Sequence, residues 1–135
     1  MSRKIVAAAV LLALAVSAGL SLIGGASCLD APLAGAVPLG NLLAAVGLCA
    51  MAGAAVVIST RGTGLRAAAL AALAGAMLWL PVSVLLAGNL QLNFSGGRGT
   101  TWLVFSAAVF AFACLALLWG IGSFVLARVR GAGAG

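Results

Sequence analysis

Few side chains in this sequence could do chemistry. The reactive residues are three cysteines and one acid, Cys28, Asp30, Cys49 and Cys114, and there is no histidine. Covalent catalysis needs a nucleophile beside a base, and cysteines within apolar segments remain protonated thiols that behave as small hydrophobes. The usual histidine ligands of haem and zinc are missing as well. We therefore expect a protein that is not an enzyme and holds no cofactor or metal.

The most polar stretch is N-L-Q-L-N-F-S-G-G-R-G-T at 89–100, and it contains no group that would act as a base. Polar and apolar residues alternate over 89–95, which favours an extended segment. The glycines that follow favour a turn, and they are Gly96, Gly97 and Gly99. We predict an outer loop in which Arg98 pairs with Asp30, the only acid in the chain, rather than a catalytic site.

The composition indicates a membrane protein. Of 135 residues, 65% are hydrophobic and 6% are charged, whereas a soluble domain carries roughly 25% charged residues. A chain of this composition cannot cover itself with a water-facing surface. Its length allows one compact bundle, so residues 1–135 are predicted to form a single transmembrane domain.

Four apolar runs, at about 5–25, 38–58, 66–88 and 102–126, are separated by clusters of Gly, Pro, Asn or Arg. Each is close to the ~20 helical residues that cross a ~30 Å hydrocarbon core. Continuous apolar runs without period-two alternation favour helices over a barrel. The predicted fold class is therefore an all-α integral membrane protein, a bundle of four transmembrane helices with short loops.

Local residues indicate where these helices begin and end. Proline is tolerated in a first helical turn, threonine caps helix N-termini, and glycine commonly follows a helix C-terminus. We accordingly expect Pro38 in the first turn of the second helix and Thr63 as the cap of the third. For the fourth helix we expect Thr100 or Thr101 as the cap and Gly131 just after the last basic turn.

The basic residues predict the orientation. With the N-terminus inside, only Arg98 lies outside, and the cytoplasmic side holds Arg3, Lys4, Arg61, Arg66, Arg128 and Arg130. Both termini are then cytoplasmic, with a basic tail at 127–135, and the first helix is kept rather than cleaved as a signal peptide. Because the charges sit in three short segments at helix ends, we expect contacts with anionic lipid head groups and no nucleic acid.

Small residues recur at steps of four in three of the helices. Such spacing places them on one face, where another helix can approach closely. The candidates for helix packing are Ala13, Ser17 and Ser21 in the first helix, Gly40, Ala44, Ala45, Cys49 and Gly53 in the second, and Ala71 and Gly75 in the third. These faces either hold the four helices together or bind a helix of another protein.

The third helix contains Trp79-Leu80-Pro81 near its middle. Proline removes the N–H that would bond the carbonyl of Met77 and tends to bend a helix, so we predict a kink or cavity there. Ser83 or Asn41 would satisfy the freed carbonyl. The deep indole of Trp79 needs a buried neighbour or a bound apolar tail, whereas Trp102 is placed as an interfacial anchor.

Three functions of different class follow from these features. The leading one is a non-catalytic subunit or assembly partner of a larger membrane complex, with other membrane proteins and lipids as partners. The alternative is a homo-oligomeric channel or carrier for a neutral or apolar solute, motivated by Asn41, Pro81 and Ser83. An enzyme is disfavoured because no nucleophile has a base. Abundant alanine and six arginines against one lysine favour a bacterial plasma membrane.

Overall fold

The computed structural model describes residues 3–25, 27–30, 32–33, 37–87 and 96–132. Its four long helices are α1 Arg3–Ile23, α2 Leu39–Ile58, α3 Gly64–Ala87 and α4 Gly97–Ala132. Each is long and apolar enough to cross a membrane. The prediction of four apolar helices in a compact bundle is thereby confirmed.

The connection between α1 and α2 has some regular structure of its own. A 3-10 helix at Ser27–Asp30 is followed by two short antiparallel strands, β1 Pro32–Leu33 and β2 Val37–Pro38. Pro38 is the last residue before α2, with an extended ψ of 141°, so it occupies the N-cap rather than the predicted first turn. The expected reason still applies, because the N-cap also needs no amide hydrogen.

The predicted bounds of the fourth helix were wrong at both ends. The helix begins at Gly97 rather than 102 and ends at Ala132 rather than 126. A glycine costs a helix only about 1 kcal/mol, and arginine is a good helix former that suits a helix C-terminus. Gly97, Gly99 and Gly131 are therefore helical, and Gly96 alone among these four glycines has a positive φ, of 95°.

The cap of α3 was predicted correctly, and that of α4 was not. The amide of Arg66 donates to Oγ1 of Thr63 at 3.3 Å, which satisfies one free N–H in the first turn of α3. Thr100 and Thr101 instead lie inside α4. Their hydroxyls donate to the carbonyls of Gly96 and Gly97, at 3.4 and 2.8 Å. This backward bonding is available to any threonine in a helix, so threonine alone does not locate the helix start.

The core is the seam at which α2, α3 and α4 meet. Buried residues recur there at alternating steps of three and four, the repeat of left-handed helix packing. They are Ala45, Leu48, Ala52, Ala55 and Ser59 in α2, Leu65, Ala69, Ala72, Ala76, Trp79 and Ser83 in α3, and Val109, Ala113 and Ala116 in α4. Most are alanine, so the helix backbones approach closely.

Helix α2 is central because its opposite side packs against α1. A Cβ added at Gly47 would lie 3.3 Å from Cβ of Ala18, so the absence of a side chain at Gly47 sets this close approach. In α1 only Ala8 and Ala18 are buried. Most of the surface of α1 therefore faces outward.

Part of the predicted packing face is exposed rather than buried. Ala13, Ser17 and Ser21 are exposed on α1, and Ala71 is exposed on α3, so these four residues do not hold the chain's own helices together. The reason is the abundance of alanine, which gives each helix more than one line of small residues while burial selects only one. In α2 and α3 the expectation matches better: Ala45 is buried, and Gly40, Ala44, Cys49, Gly53 and Gly75 are half-buried.

Candidate functional site

The five-residue pattern Trp-x-x-x-Ser occurs once in α3, at Trp79 and Ser83, and twice in α4, at Trp102 and Ser106 and at Trp119 and Ser123. The first two of these patterns are the ones that face each other. A step of four places both residues on one face of a helix. Since α3 and α4 pack against each other, the tryptophan of each pattern can reach the serine of the other.

The structure joins the two patterns by reciprocal hydrogen bonds. Nε1 of Trp79 donates to Oγ of Ser106 at 2.9 Å, and Nε1 of Trp102 donates to Oγ of Ser83 at 2.9 Å. The two indole rings lie with centroids 6.3 Å apart and planes tilted by 53°. We call these four residues the Trp–Ser pairs.

The Trp–Ser pairs lie inside the bundle. Trp79 is 5% exposed and Ser83 is fully buried, whereas Trp102 and Ser106 are half-buried. A buried N–H without a partner would cost about 1–3 kcal/mol, and a tilted aromatic pair adds about 0.5–1.5 kcal/mol. Indole and hydroxyl groups do not ionise near neutral pH, so what this arrangement supplies is two fixed hydrogen bonds between α3 and α4.

These positions answer several expectations from the sequence. Trp79 has the buried neighbour that its indole required, which confirms that prediction. Trp102 is half-buried and packs against the core, and its role as an interfacial anchor stays a prediction. Ser83 accepts a bond from Trp102, and α3 remains helical through Pro81, which is exposed. The repeated Trp-x-x-x-Ser is a signal of this pairing in the sequence, but its third occurrence, at Trp119 and Ser123, means that the pattern alone does not identify which two meet.

Asn41 does not serve the carbonyl of Met77. It lies in the first turn of α2, and its Nδ2 is buried without a hydrogen-bond partner among the described residues. An amide N–H₂ group in this state costs free energy. The predicted group of Asn41, Pro81 and Ser83 is therefore not brought together as a polar cluster.

An apolar groove of about 260 Å³ lies beside Trp79. Helices α1, α2 and α4 form its walls, through residues that include Ala18, Ala44, Gly47, Met51 and Phe110. Its only hydroxyl is that of Ser106, which already accepts from Trp79. An apolar cavity of about 150 Å³ is enough to hold benzene, so this groove has room for part of a hydrocarbon chain.

At the opposite end of α3, Arg66 ties the start of α3 to the end of α2. Its Nη1 donates to the carbonyl of Val56 at 3.0 Å, and the hydroxyl of Ser59 donates to the same carbonyl at 2.8 Å. The last carbonyls of a helix carry partial negative charge and lack partners within the helix. A guanidinium there stabilises the end of α2 and fixes the turn into α3.

The remaining candidates are spread out. Cys28 is exposed, Cys49 and Cys114 are half-buried, and all three thiols are free. The Cys114 thiol lies 3.9 Å from Sδ of Met51. Arg98 is exposed in the first turn of α4, but the side chain of Asp30 and residues 88–95 lie outside the described residues. The Asp30–Arg98 pair and the extended outer segment therefore stay predictions.

Comparisons with protein-family models, with curated proteins and with solved structures found no match to this chain. The features of the molecule that bear on function are the Trp–Ser pairs, the apolar groove, the basic turn between α2 and α3, and the exposed face of α1.

Proposed function

We propose that the chain is a non-catalytic subunit or assembly partner of a larger membrane protein complex. It would be a multi-pass protein of a bacterial plasma membrane with both termini in the cytoplasm. The observation that carries this proposal is the exposed face of α1, on which a line of small residues is left uncovered by the chain's own helices.

This face consists of Ala9, Ala13, Ser17 and Ser21, all exposed and spaced by four residues. We call it the small face of α1. The hydroxyl of Ser21 donates to the carbonyl of Ser17 at 2.9 Å, so it has a partner within the helix. In lipid, helices associate through close van der Waals packing, and small residues at steps of four permit it.

The small face is available because α1 is held by one side only. Helices α2, α3 and α4 share the buried seam, and the Trp–Ser pairs join α3 to α4. Helix α1 contributes just two buried residues and packs mainly on α2. A partner helix can therefore pack on α1 without displacing any element of the bundle.

The distribution of charge supports the proposed orientation. Consecutive long helices run in alternate directions across a membrane, so the start of α1, the α2–α3 turn and the end of α4 share one side. These three places hold six of the seven basic residues in the chain. Such an excess is typical of the cytoplasmic side.

The channel alternative receives less support from the geometry. Ser83 is committed to Trp102, and Pro81 is exposed rather than directed into the bundle. The groove beside Trp79 is lined almost wholly by hydrocarbon. Such a groove offers few partners to a neutral polar solute, and the part of the alternative that it leaves open is an apolar solute.

Site-specific photo-crosslinking in native membranes tests the proposal. A photoreactive residue at position 17 lies on the small face, and one at position 118 lies on an exposed part of α4 where Leu118 is 65% exposed. We expect adducts with a different membrane protein from position 17 and not from position 118. Adducts of this chain with itself alone, or equal labelling from both positions, would contradict the proposal.

A further inference from the structure

A second cavity, of about 340 Å³, lies where α2 ends and α3 begins. Its outer wall is α4, which has 36 residues and is about 54 Å long at ~1.5 Å per residue. A Cβ added at Gly120 would lie 2.7 Å from Cδ1 of Ile58, so α4 passes the end of α2 at this position. The last twelve residues of α4 therefore continue beyond the end of α2.

The lining of this cavity combines two chemistries. Hydroxyls are supplied by Thr60, Thr63 and Ser123, and apolar surface is supplied by Ile58, Leu65, Trp119 and Phe124. Trp119 is 57% exposed. The cavity is thus polar at the turn and apolar along the helices.

Two arginines directly follow lining residues of the cavity, Arg61 after Thr60 and Arg128 after Ala127. They carry no acidic partner among the described residues. Arg61 is exposed in the turn between Thr60 and Thr63. The guanidinium carbon of Arg128 lies 5.2 Å from the ring centroid of Phe124, which lines the cavity. Arg66 is nearby but is engaged with the carbonyl of Val56.

We propose that this cavity binds an anionic phospholipid. The phosphate accepts hydrogen bonds from the hydroxyls of Thr60 and Ser123 and from Arg61 and Arg128, and an acyl chain runs along Trp119 and Phe124. The Thr63 hydroxyl already donates to the carbonyl of Thr60 at 2.7 Å. Charge complementarity selects the occupant, since the net charge of the chain is +6 and its only acid is in the α1–α2 connection. The inference rests on the membrane location proposed above but not on the existence of a partner protein.

Fluorescence quenching by brominated lipids tests this site on the full-length protein in vesicles. The quenching of Trp119 fluorescence is obtained as the difference between the wild type and Trp119→Phe. We expect this difference to be larger with brominated phosphatidylglycerol than with brominated phosphatidylcholine. The double substitution Arg61→Gln and Arg128→Gln should lower that preference about five-fold or more, because it removes the two guanidinium groups that would bond the phosphate directly.

The matched control is Arg3→Gln with Lys4→Gln, which removes the same two charges at the same end of the bundle but away from the cavity. It should keep the preference. Loss of preference in the control to the same extent would show diffuse attraction and overturn the site. Equal quenching of the wild type by both lipids would also overturn it while leaving the membrane location intact, whereas no quenching by either would refute that location. Displacement by inorganic phosphate would identify a free-phosphate site instead.

Discussion

The indole rings of Trp79 and Trp102 lie 6.3 Å apart, and each ring donates its N–H to a serine one turn from the other. Because the two bonds run in opposite directions between antiparallel helices, a shift of α3 along α4 by one turn would break both. The Trp–Ser pairs therefore define the register of a seam that is otherwise made largely of alanine. Alanine seams alone give little register, since one alanine replaces another after each turn.

Double-mutant cycles should detect a coupling energy between each tryptophan and the serine that it bonds. We expect Trp79→Phe and Ser106→Ala each to lower the free energy of unfolding by about 1 kcal/mol, because either change removes one buried hydrogen bond. Their coupling energy should be about 0.5–1.5 kcal/mol. The equivalent cycle of Trp102→Phe with Ser83→Ala should give a similar value, measured by reversible unfolding in mixed micelles.

The control cycle combines Trp79→Phe with Ser17→Ala, since Ser17 is exposed on α1. These two changes should be additive within about 0.5 kcal/mol, as expected for independent sites. A coupling between Trp79 and Ser106 no larger than in this control would mean that the hydrogen bond contributes nothing to stability.

The sequence predicted the number and type of helices because that information is carried by long apolar runs. It predicted the cap at Thr63 because the threonine lies just before a long apolar run, where the first helical amides need an acceptor. The ends of α4 were less predictable. Gly97, Gly99 and Gly131 are usual signs of a turn, yet a 36-residue helix that packs on its neighbours can include them at modest cost.

The buried faces could be predicted only in part. The real seam of α3, from Ala69 through Ala72 and Ala76 to Trp79, follows a repeat of three and four that is also present in the sequence. Ala71 and Gly75 form a second line of small residues on α3, and the composition alone does not show which of the two lines is buried. The choice is made by tertiary contacts, above all by the two tryptophans that must reach a serine.

Close approach of α1 to α2 depends on Gly47. A Cβ at this position would lie 3.3 Å from the Ala18 Cβ and 3.8 Å from the carbonyl oxygen of Ala15. We expect Gly47→Leu to destabilise the protein by about 1–3 kcal/mol, the usual cost of forcing bulk into a packed contact. The measurement is unfolding in mixed micelles, together with loss of proximity between labels on α1 and α2.

Gly122→Leu is the matched control for this substitution. It also places leucine at a helical glycine, but an added Cβ there meets nothing within 4 Å. It should not destabilise the protein and should raise its stability by up to about 1 kcal/mol, because leucine is the better helix former. Equal destabilisation by the two substitutions would show that leucine disturbs these helices for reasons other than contact with α1.

The turn between α2 and α3 should be sensitive to Arg66 and insensitive to Arg61. Arg66→Gln removes the guanidinium that bonds the carbonyl of Val56 at 3.0 Å, so we expect a loss of about 1 kcal/mol. Hydrogen exchange should accelerate at the amides of the last turn of α2. Arg61→Gln removes the same charge from an exposed position and should leave exchange there unchanged, whereas equal acceleration would attribute the effect to net charge.

The orientation of the bundle can be tested with the native cysteines. Cys28 is exposed in the connection between α1 and α2, while Cys49 and Cys114 are half-buried within helices. With both termini in the cytoplasm, Cys28 faces the outer side, so a membrane-impermeant maleimide should label intact spheroplasts. Cys28→Ser should abolish that labelling. A thiol added after the last residue should react only after lysis, because it would lie inside. Labelling of Cys28 only in lysed cells would reverse the orientation and move the six basic residues to the outer side, against the positive-inside rule.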